Sequence, residues 1–269
     1  GWHIECSAMS TKYLGEQFDI HGGGVDLVFP HHENEIAQAQ AAGKPFARYW
    51  VHNGLLTVNG EKMSKSLGNF ITVEQALEAC HGDPRVLKVL FLGTHYRSPL
   101  DYTQENLRAA SGRWNRWYDF LFPAETQRSS AQLPKEIPPE IAEWKTAFEA
   151  AMDEDLNTPE ALAVIDQLIS LGYVWWKKLE AGDATGESAA LRGKIVAVVD
   201  AFRELGQVLG LEWGPLPTLS QEEVKLLNER EAARKRKDFA AADKIRQELA
   251  KRGVVVEDTA HGPIAIPKR

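Results

Sequence analysis

The pattern of apolar residues changes once along the chain, near residue 100, and that change limits the folds open to it. Before it, short apolar runs alternate with glycines and helical stretches. Phe18-Asp19-Ile20-His21 reads as a strand, and Gly22-Gly23-Gly24 ends it in a loop. Pro30 suits the first turn of a helix running through Glu35-Ile36-Ala37-Gln38-Ala39-Gln40 to a stop at Gly43. Ile4 to Met9 reads as a strand end and turn, and Tyr49 to Val58 as a strand pair before the Asn59-Gly60 turn. Strand, glycine loop and helix N-terminus in that order describe an α/β nucleotide-binding layer. Such units are too few to make a doubly wound sheet, so residues beyond this chain are expected to complete it.

After residue 100 the apolar steps are three and four, and 103–122, 140–152, 158–180, 187–210 and 220–252 read as helices. Pro123 to Pro139 is a linker, and Asp183-Ala184-Thr185-Gly186 and Gly214-Pro215-Leu216-Pro217 are loops. Val254-Val255-Val256 and Ile264-Ala265-Ile266 read as strands around a turn at His261-Gly262-Pro263. Trp114, Trp117, Trp144, Trp175 and Trp176 recur at helical steps and are expected in the core. The fold class is therefore α/β followed by mostly α. The expected division is 1–102, a helical bundle at 103–215, and a small α/β unit at 220–269.

With 43% hydrophobic and 26% charged residues, the 269-residue chain is neither disordered nor collagen-like. No apolar run reaches the roughly 20 residues a membrane span needs, so no membrane partner is expected. Two cysteines cannot build a disulfide scaffold, and the Gly1-Trp2-His3 start is no signal peptide, so a cytoplasmic location is expected. Net charge is −7, but residues 230–252 hold nine Lys/Arg against four Asp/Glu. A basic pole on an acidic body steers a polyanion to one end; a solvated helix of paired charges gives the same composition.

Three constellations carry chemistry. In the first, His31 and Glu35 lie four apart on a helix, about 5–6 Å from each other on one face, and Cys6 arrives from a separate loop. Thiolate, imidazole and carboxylate suit Zn²⁺; a buried cysteine beside a surface His/Glu pair is the plainer alternative. His32 and Glu33 point elsewhere on that helix, and Cys80 reads as structural. In the second, Gly22 to Gly24 allow close backbone approach and Asp26 offers an acceptor for ribose hydroxyls. In the third, Lys62-Met63-Ser64-Lys65-Ser66 on a glycine-flanked loop sets two lysines three apart, able to neutralise a triphosphate.

That last string is the KMSKS signature of class I aminoacyl-tRNA synthetases. Together with Trp2 to Met9 (WHIECSAM), Asp19 to Glu35 (DIHGGGVDLVFPHHENE), Thr94 to Leu100 (THYRSPL), the helix from Ala233 to Arg246, and Glu257-Asp258-Thr259, the chain resembles cysteinyl-tRNA synthetases over nearly its whole length. The resemblance implies half of a Rossmann-type catalytic domain, a stem-contact region, a helical bundle and an anticodon-reading tail. It implies ATP-dependent formation of cysteinyl-adenylate, with ATP/Mg²⁺ as substrate, then transfer of cysteine to tRNA-Cys. Cys6, His31 and Glu35 match three of the family's four zinc ligands, and the zinc takes the substrate thiol. Trp2 lines the amino-acid pocket. Gly23, Gly24 and Asp26 face ATP, and Lys65, supported by Lys62, stabilises the transition state at the phosphates. Arg234, Asp243 and Asp258 match base-reading positions, with Lys235, Arg236, Lys244 and Lys251 on phosphates.

The HIGH string of the class is absent from these residues, and the family's remaining zinc cysteine lies ahead of residue 1. The chain thus reads as a monomeric C-terminal portion, inactive in adenylate formation without its N-terminal half. Two other readings are a non-catalytic tRNA-binding module derived from a synthetase, and a ligase joining cysteine to an amino-sugar inositol. The second lacks the anticodon-reading tail present here from about residue 220.

Overall fold

The computed structural model describes residues 1–182, 188–212, 220–259 and 262–267. It opens with helix α1 (Trp2–Leu14), where the sequence reads as a strand end and turn. The reason lies in the partner: His3 and Ser7, four apart, face α2 (Glu33–Ala41), and Ser7 Oγ donates to Gln38 Oε1 at 2.7 Å. The face that docks is polar, so apolar periodicity does not reveal it. Strand β1 (Gln17–Gly24) pairs in parallel with β2 (Phe46–Asn53). Gly22, Gly23 and Gly24 continue that strand opposite Val51, His52 and Asn53 and do not end it in a loop. Pro30 falls in a wide turn, Val28–His32, ahead of the helix proper. Phe18, Ala39 and Phe46 form a small core for this layer.

The expected strand pair at 49–58 is two strands in different sheets. β3 (Leu56–Val58) runs antiparallel to β4 (Glu61–Lys62) and parallel to β5 (Leu100–Tyr102). Helices α3 (Val73–Ala79) and α4 (Pro84–Leu92) lie between β4 and β5 in the chain. Thr72 starts α3 with a reciprocal cap to Gln75, and Asp83 caps α4. Cys80 is buried in this core.

Helices α5 (Gln104–Thr126), α6 (Pro139–Asp153), α7 (Thr158–Glu180) and α8 (Ser188–Val208) pack as a bundle. Trp114, Trp117 and Trp175 are buried in its core, and Trp144 and Trp176 pack against it. That core is continuous with Val58, Val86, Val89 and Tyr102, so no apolar gap separates the β3–β5 layer from the bundle. The loop at 95–97 clasps the bundle at Asp155: Tyr96 Oη donates to Oδ1 at 2.6 Å, and Arg97 forms an ion pair with the same carboxylate. Those hydrogen bonds from Arg97 and Tyr96 hold the Asp155 pKa down at about 2.

The run at 220–252 is two helices, α9 (Gln221–Lys235) and α10 (Phe239–Lys251). Lys237 takes a positive φ of 62° between them, and Asp238 caps α10 through the Ala241 amide. Strands β6 (Val254–Thr259) and β7 (Gly262–Pro267) make the antiparallel hairpin, and Leu249, Val254 and Val256 form a separate core there. The expected loop at Asp183–Gly186 and that at Gly214–Pro217 lie outside the described residues. Among the described residues, no helix is long and apolar enough to cross a membrane.

Candidate metal centre and catalytic loop

α1 supplies Cys6, the wide turn supplies His31 and α2 supplies Glu35. One ligand atom from each lies within 4.8 Å of the other two. Cys6 thus comes from a helix where a loop is expected. His31 Nε2 is 2.8 Å from Glu35 Oε1. His31 Nδ1 meets His3 Nδ1 at 2.7 Å. In the tautomer where His31 Nδ1–H donates to His3, the Nε2 lone pair is free for a metal. Trp2 packs over this edge, its ring 4.5 Å from that of His31, and remains 61% exposed at the mouth.

Glu35 tests whether a cation fits. Its side chain is 0% exposed, and apart from a contact with the Cys6 thiol neither oxygen has a hydrogen-bond partner. His21 Nε2 and His31 Nε2 lie 2.9 and 2.8 Å from its two oxygens. Burial, then the neighbouring imidazoles of His21, His52 and His31, hold the His32 pKa at about 4; burial also lowers His21 against the opposing pull of Glu35. Burial, and next the Glu35 charge, push the Cys6 thiol above its ordinary value, while a hydrogen bond with Trp2 acts the other way. A buried carboxylate left this way calls for a cation, and the S, N and O donors beside it match a zinc-type ion.

The sequence reading misses the rest of this cluster. His21, His32 and Glu35 also meet within 4.8 Å, and His32 Nδ1 reaches His52 Nε2 at 2.8 Å. His32 is therefore buried in the site and does not point away. His21 sits opposite Trp50 and Gly23 opposite His52, a register that spacing along the chain does not disclose. Glycines 23 and 24 have intramolecular reasons. A Cβ on Gly23 would stand 2.9 Å from the His32 ring and Leu27, and one on Gly24 2.4 Å from Asp26 Oδ1. Asp26 itself is exposed, in the turn Val25–Leu27.

The Lys62–Ser66 string lies on the other sheet, running out of β4. The loop closes on itself: Ser64 N donates to Asn69 Oδ1 at 2.8 Å, Asn69 Nδ2 to Lys62 O at 3.2 Å, and the Ser64 and Ser66 hydroxyls meet at 3.1 Å. Asp101 Oδ1 holds its base, accepting from Gly60 N at 2.9 Å and Thr57 Oγ1 at 2.7 Å. Lys62 and Lys65 are exposed, and Lys65 Nζ lies 5.6 Å from the Phe70 ring.

In the C-terminal unit Arg234 and Asp243 are exposed on α9 and α10, while the Asp258 side chain lies outside the described residues. No ion pair ties Asp243 to a lysine or arginine among the described residues. Part of the basic cluster is internal: Arg230 is buried, and Arg252 pairs with Glu222 and Glu248.

Comparison with known proteins matches three stretches of the chain. The family model for the class I (C) tRNA synthetase catalytic domain matches residues 1–112, the DALR domain matches 147–212, and the cysteinyl-tRNA ligase anticodon binding domain matches 216–262. Among solved structures, Mycobacterium tuberculosis methionyl-tRNA synthetase in complex with methionyl-adenylate superposes with a TM-score of 0.54 at 19% identity, over 71% of this chain and 42% of that one. The fold is that of the class I aminoacyl-tRNA synthetases. The cysteine–tRNA ligases of Geobacter sulfurreducens and Carboxydothermus hydrogenoformans are 44% and 45% identical, each over 97% of this chain and 56% of the relative. Along 97% of its length the chain is thus similar to cysteine–tRNA ligases. It spans about half the length of the curated relatives it matches.

Proposed function

We propose that the chain carries the amino-acid-recognising, phosphate-stabilising and tRNA-binding parts of a cysteine–tRNA ligase. The observation that carries this is the convergence of Cys6, His31 and Glu35, with the Glu35 carboxyl group fully buried and facing the thiol and the imidazole. In the reaction, the cysteine carboxylate attacks the α-phosphorus of ATP and pyrophosphate leaves. A hydroxyl of the terminal adenosine of tRNA-Cys then takes the cysteinyl group, and AMP leaves. Cys6, His31 and Glu35 would hold a zinc ion, which would supply a Lewis acid with a preference for thiolate over hydroxyl. Trp2 walls the amino-acid pocket beside His31. Asp26 accepts from the ribose. Lys65, with Lys62, folds onto the phosphates and offsets the charge that develops on pyrophosphate. The division at 1–102, 103–215 and 220–269 assigns these steps to the first unit, tRNA-body contacts to the second and anticodon contacts to the third.

The test uses the chain loaded with Co²⁺ in place of zinc. Cysteine should perturb the cobalt absorption spectrum at concentrations roughly 100-fold or more below serine, because the pocket rewards the sulfur bond. Equal responses to cysteine and serine would end this reading.

For the anticodon unit, base readers and phosphate contacts predict different signatures. A carboxylate accepts from a cytosine amino group and carries sequence information, whereas a lysine on phosphate does not. With tRNA-Cys transcripts, Asp243→Asn should narrow the preference for the native anticodon over its variants. Lys251→Ala should weaken every transcript alike and lower the salt slope by about 1. Identical behaviour of the two substitutions on all transcripts counts against the assignment.

A further inference from the structure

We infer that Phe239 is a stacking platform for an unpaired base of an RNA loop, set one helical turn ahead of the Asp243 carboxylate. The inference deepens the anticodon reading proposed above and rests on it for the RNA; the platform itself rests on exposure and placement.

α9 and α10 meet at a tight turn. Lys237 N donates to Arg234 O and Asp238 N to Ala233 O, both at 2.9 Å, and Phe239 is the first residue of α10. On that helix Ala242 and Leu249 are buried, and Ile245 packs on the core that Leu249 makes with Val254 and Val256. Phe239, Asp243 and Arg246, at steps of four and three, share the neighbouring stripe. All three are exposed, the phenyl ring at 59%. Among the described residues Phe239 takes no part in the core of its own unit.

A single exposed apolar side chain is ordinary on a protein surface. This one has specific company. The four residues before Asp238 are all basic, and the Asp238 carboxylate is engaged with the Ala241 amide at 3.1 Å. The ring therefore stands between a run of positive charge and the exposed Asp243, which has no ion pair to lysine or arginine among the described residues.

These neighbours match three parts of one ligand. Basic side chains take phosphates, a carboxylate accepts from an exocyclic amino group, and an aromatic ring takes the face of a base. Residues four apart on a helix have Cβ atoms about 5–6 Å apart, so a base held on the ring lies within reach of the carboxylate. Stacking requires a base out of its helix. A splayed loop offers one, and a duplex, whose base faces are covered by neighbouring pairs, does not. A membrane surface asks for a broad apolar helix face, whereas here the residue one turn along is Asp243.

The test measures binding of a tRNA-Cys transcript by the native chain and by Phe239→Ala, Phe239→Leu and Phe239→Trp. Further transcripts carry an abasic nucleotide at one anticodon position each. Phe239→Ala and Phe239→Leu should raise the Kd about 10- to 100-fold with melting temperature and salt slope unchanged, and Phe239→Trp should bind as the native chain does. At one anticodon position the abasic transcript should bind the native chain and Phe239→Ala alike, because ring and base belong to the same contact. Native affinity in Phe239→Ala or Phe239→Leu overturns the inference. So does an abasic penalty that adds to the Phe239→Ala loss at every position, or a Phe239→Ala defect confined to self-association or to binding phosphatidylserine vesicles. Asp243→Asn separates the two levels. If it narrows the anticodon preference while Phe239→Ala changes nothing, the platform fails and the anticodon reading stands. If no anticodon change alters binding by any of these proteins, the anticodon reading fails with it.

Discussion

Glu35→Gln is expected to stabilise the metal-free chain and to remove most of its stabilisation by zinc, two effects of opposite sign from one substitution. Without a cation, the wild-type carboxyl group is fully buried, with the Cys6 thiol as its one hydrogen-bond partner and with the His21 imidazole beside it disfavoured by burial from taking up a proton. A glutamine amide fills the same volume without charge and can donate to an imidazole nitrogen. Relief of this buried group should add roughly 1–3 kcal/mol to the chelator-treated protein. With zinc the balance reverses. Loss of one anionic ligand of three should weaken binding by about 100-fold or more, close to 2.7 kcal/mol. A ligand that binds only the folded chain stabilises it in proportion to the logarithm of its concentration over Kd, so the zinc-induced rise in melting temperature should collapse. Cys6→Ala should lose the zinc response as well, but with little gain for the metal-free chain, because the thiol is an intermediate-exposure neutral group. Thermal melts of the three proteins, each with chelator and with zinc, decide the matter. A metal-free Glu35→Gln chain that is less stable than wild type, with its zinc response intact, would make Glu35 a structural residue.

The sequence exposed His31 and Glu35 because their i,i+4 spacing, here across the turn leading into α2, needs no tertiary knowledge. It did not expose the ring of His3, His21, His32 and His52, which meet only through the parallel register of β1 on β2 and the seating of α1 on α2. The same division holds for the fold. α5, α7 and α8 carry large apolar residues at helical steps, such as Trp114, Trp117 and Leu121, and their existence was legible. α1 was not, because the side chains it docks with, His3 and Ser7, are polar. Gly22 to Gly24 look like a loop by composition, yet they extend a strand, since the ladder to Val51–Asn53 and the close approach of His32 decide their conformation. α9 and α10 run together in the sequence because residues 230–237 contain no glycine or proline. The only break signal was Asp238, a capping residue hidden among basic neighbours.

Trp114→Ala should cost about 3–5 kcal/mol, which for a chain of this size is a fall in melting temperature on the order of 10 °C. Trp114 is 0% exposed, and it lies where α4 meets α5. Its ring packs edge-on against Trp117 at 6.1 Å, and the Arg85 guanidinium sits 4.8 Å above it. Its Nε1–H donates to Asp83 Oδ2 at 2.9 Å. Asp83 in turn caps α4 and binds Arg85 Nε at 2.7 Å. Burial pushes the Asp83 carboxyl up, but the hydrogen bonds from Arg85 and Trp114 outweigh it and hold the group below its ordinary value. Deleting the indole removes core packing and a donor to a buried carboxylate together. Trp114→Phe keeps most of the packing and removes only the donor, so about 1–3 kcal/mol is expected from it. The damage should be local before it is global. Val86, Val89 and Leu90 of α4 lose their backing on α5, and α4 follows in sequence the loop that carries Lys62 and Lys65. Amide exchange should therefore quicken in α4 and α5, whereas the β6–β7 hairpin, with its own core of Leu249, Val254 and Val256, should exchange as before. A loss below about 1 kcal/mol, or faster exchange spread evenly into the hairpin, would mean that Trp114 is not the joint between the β3–β5 layer and the bundle.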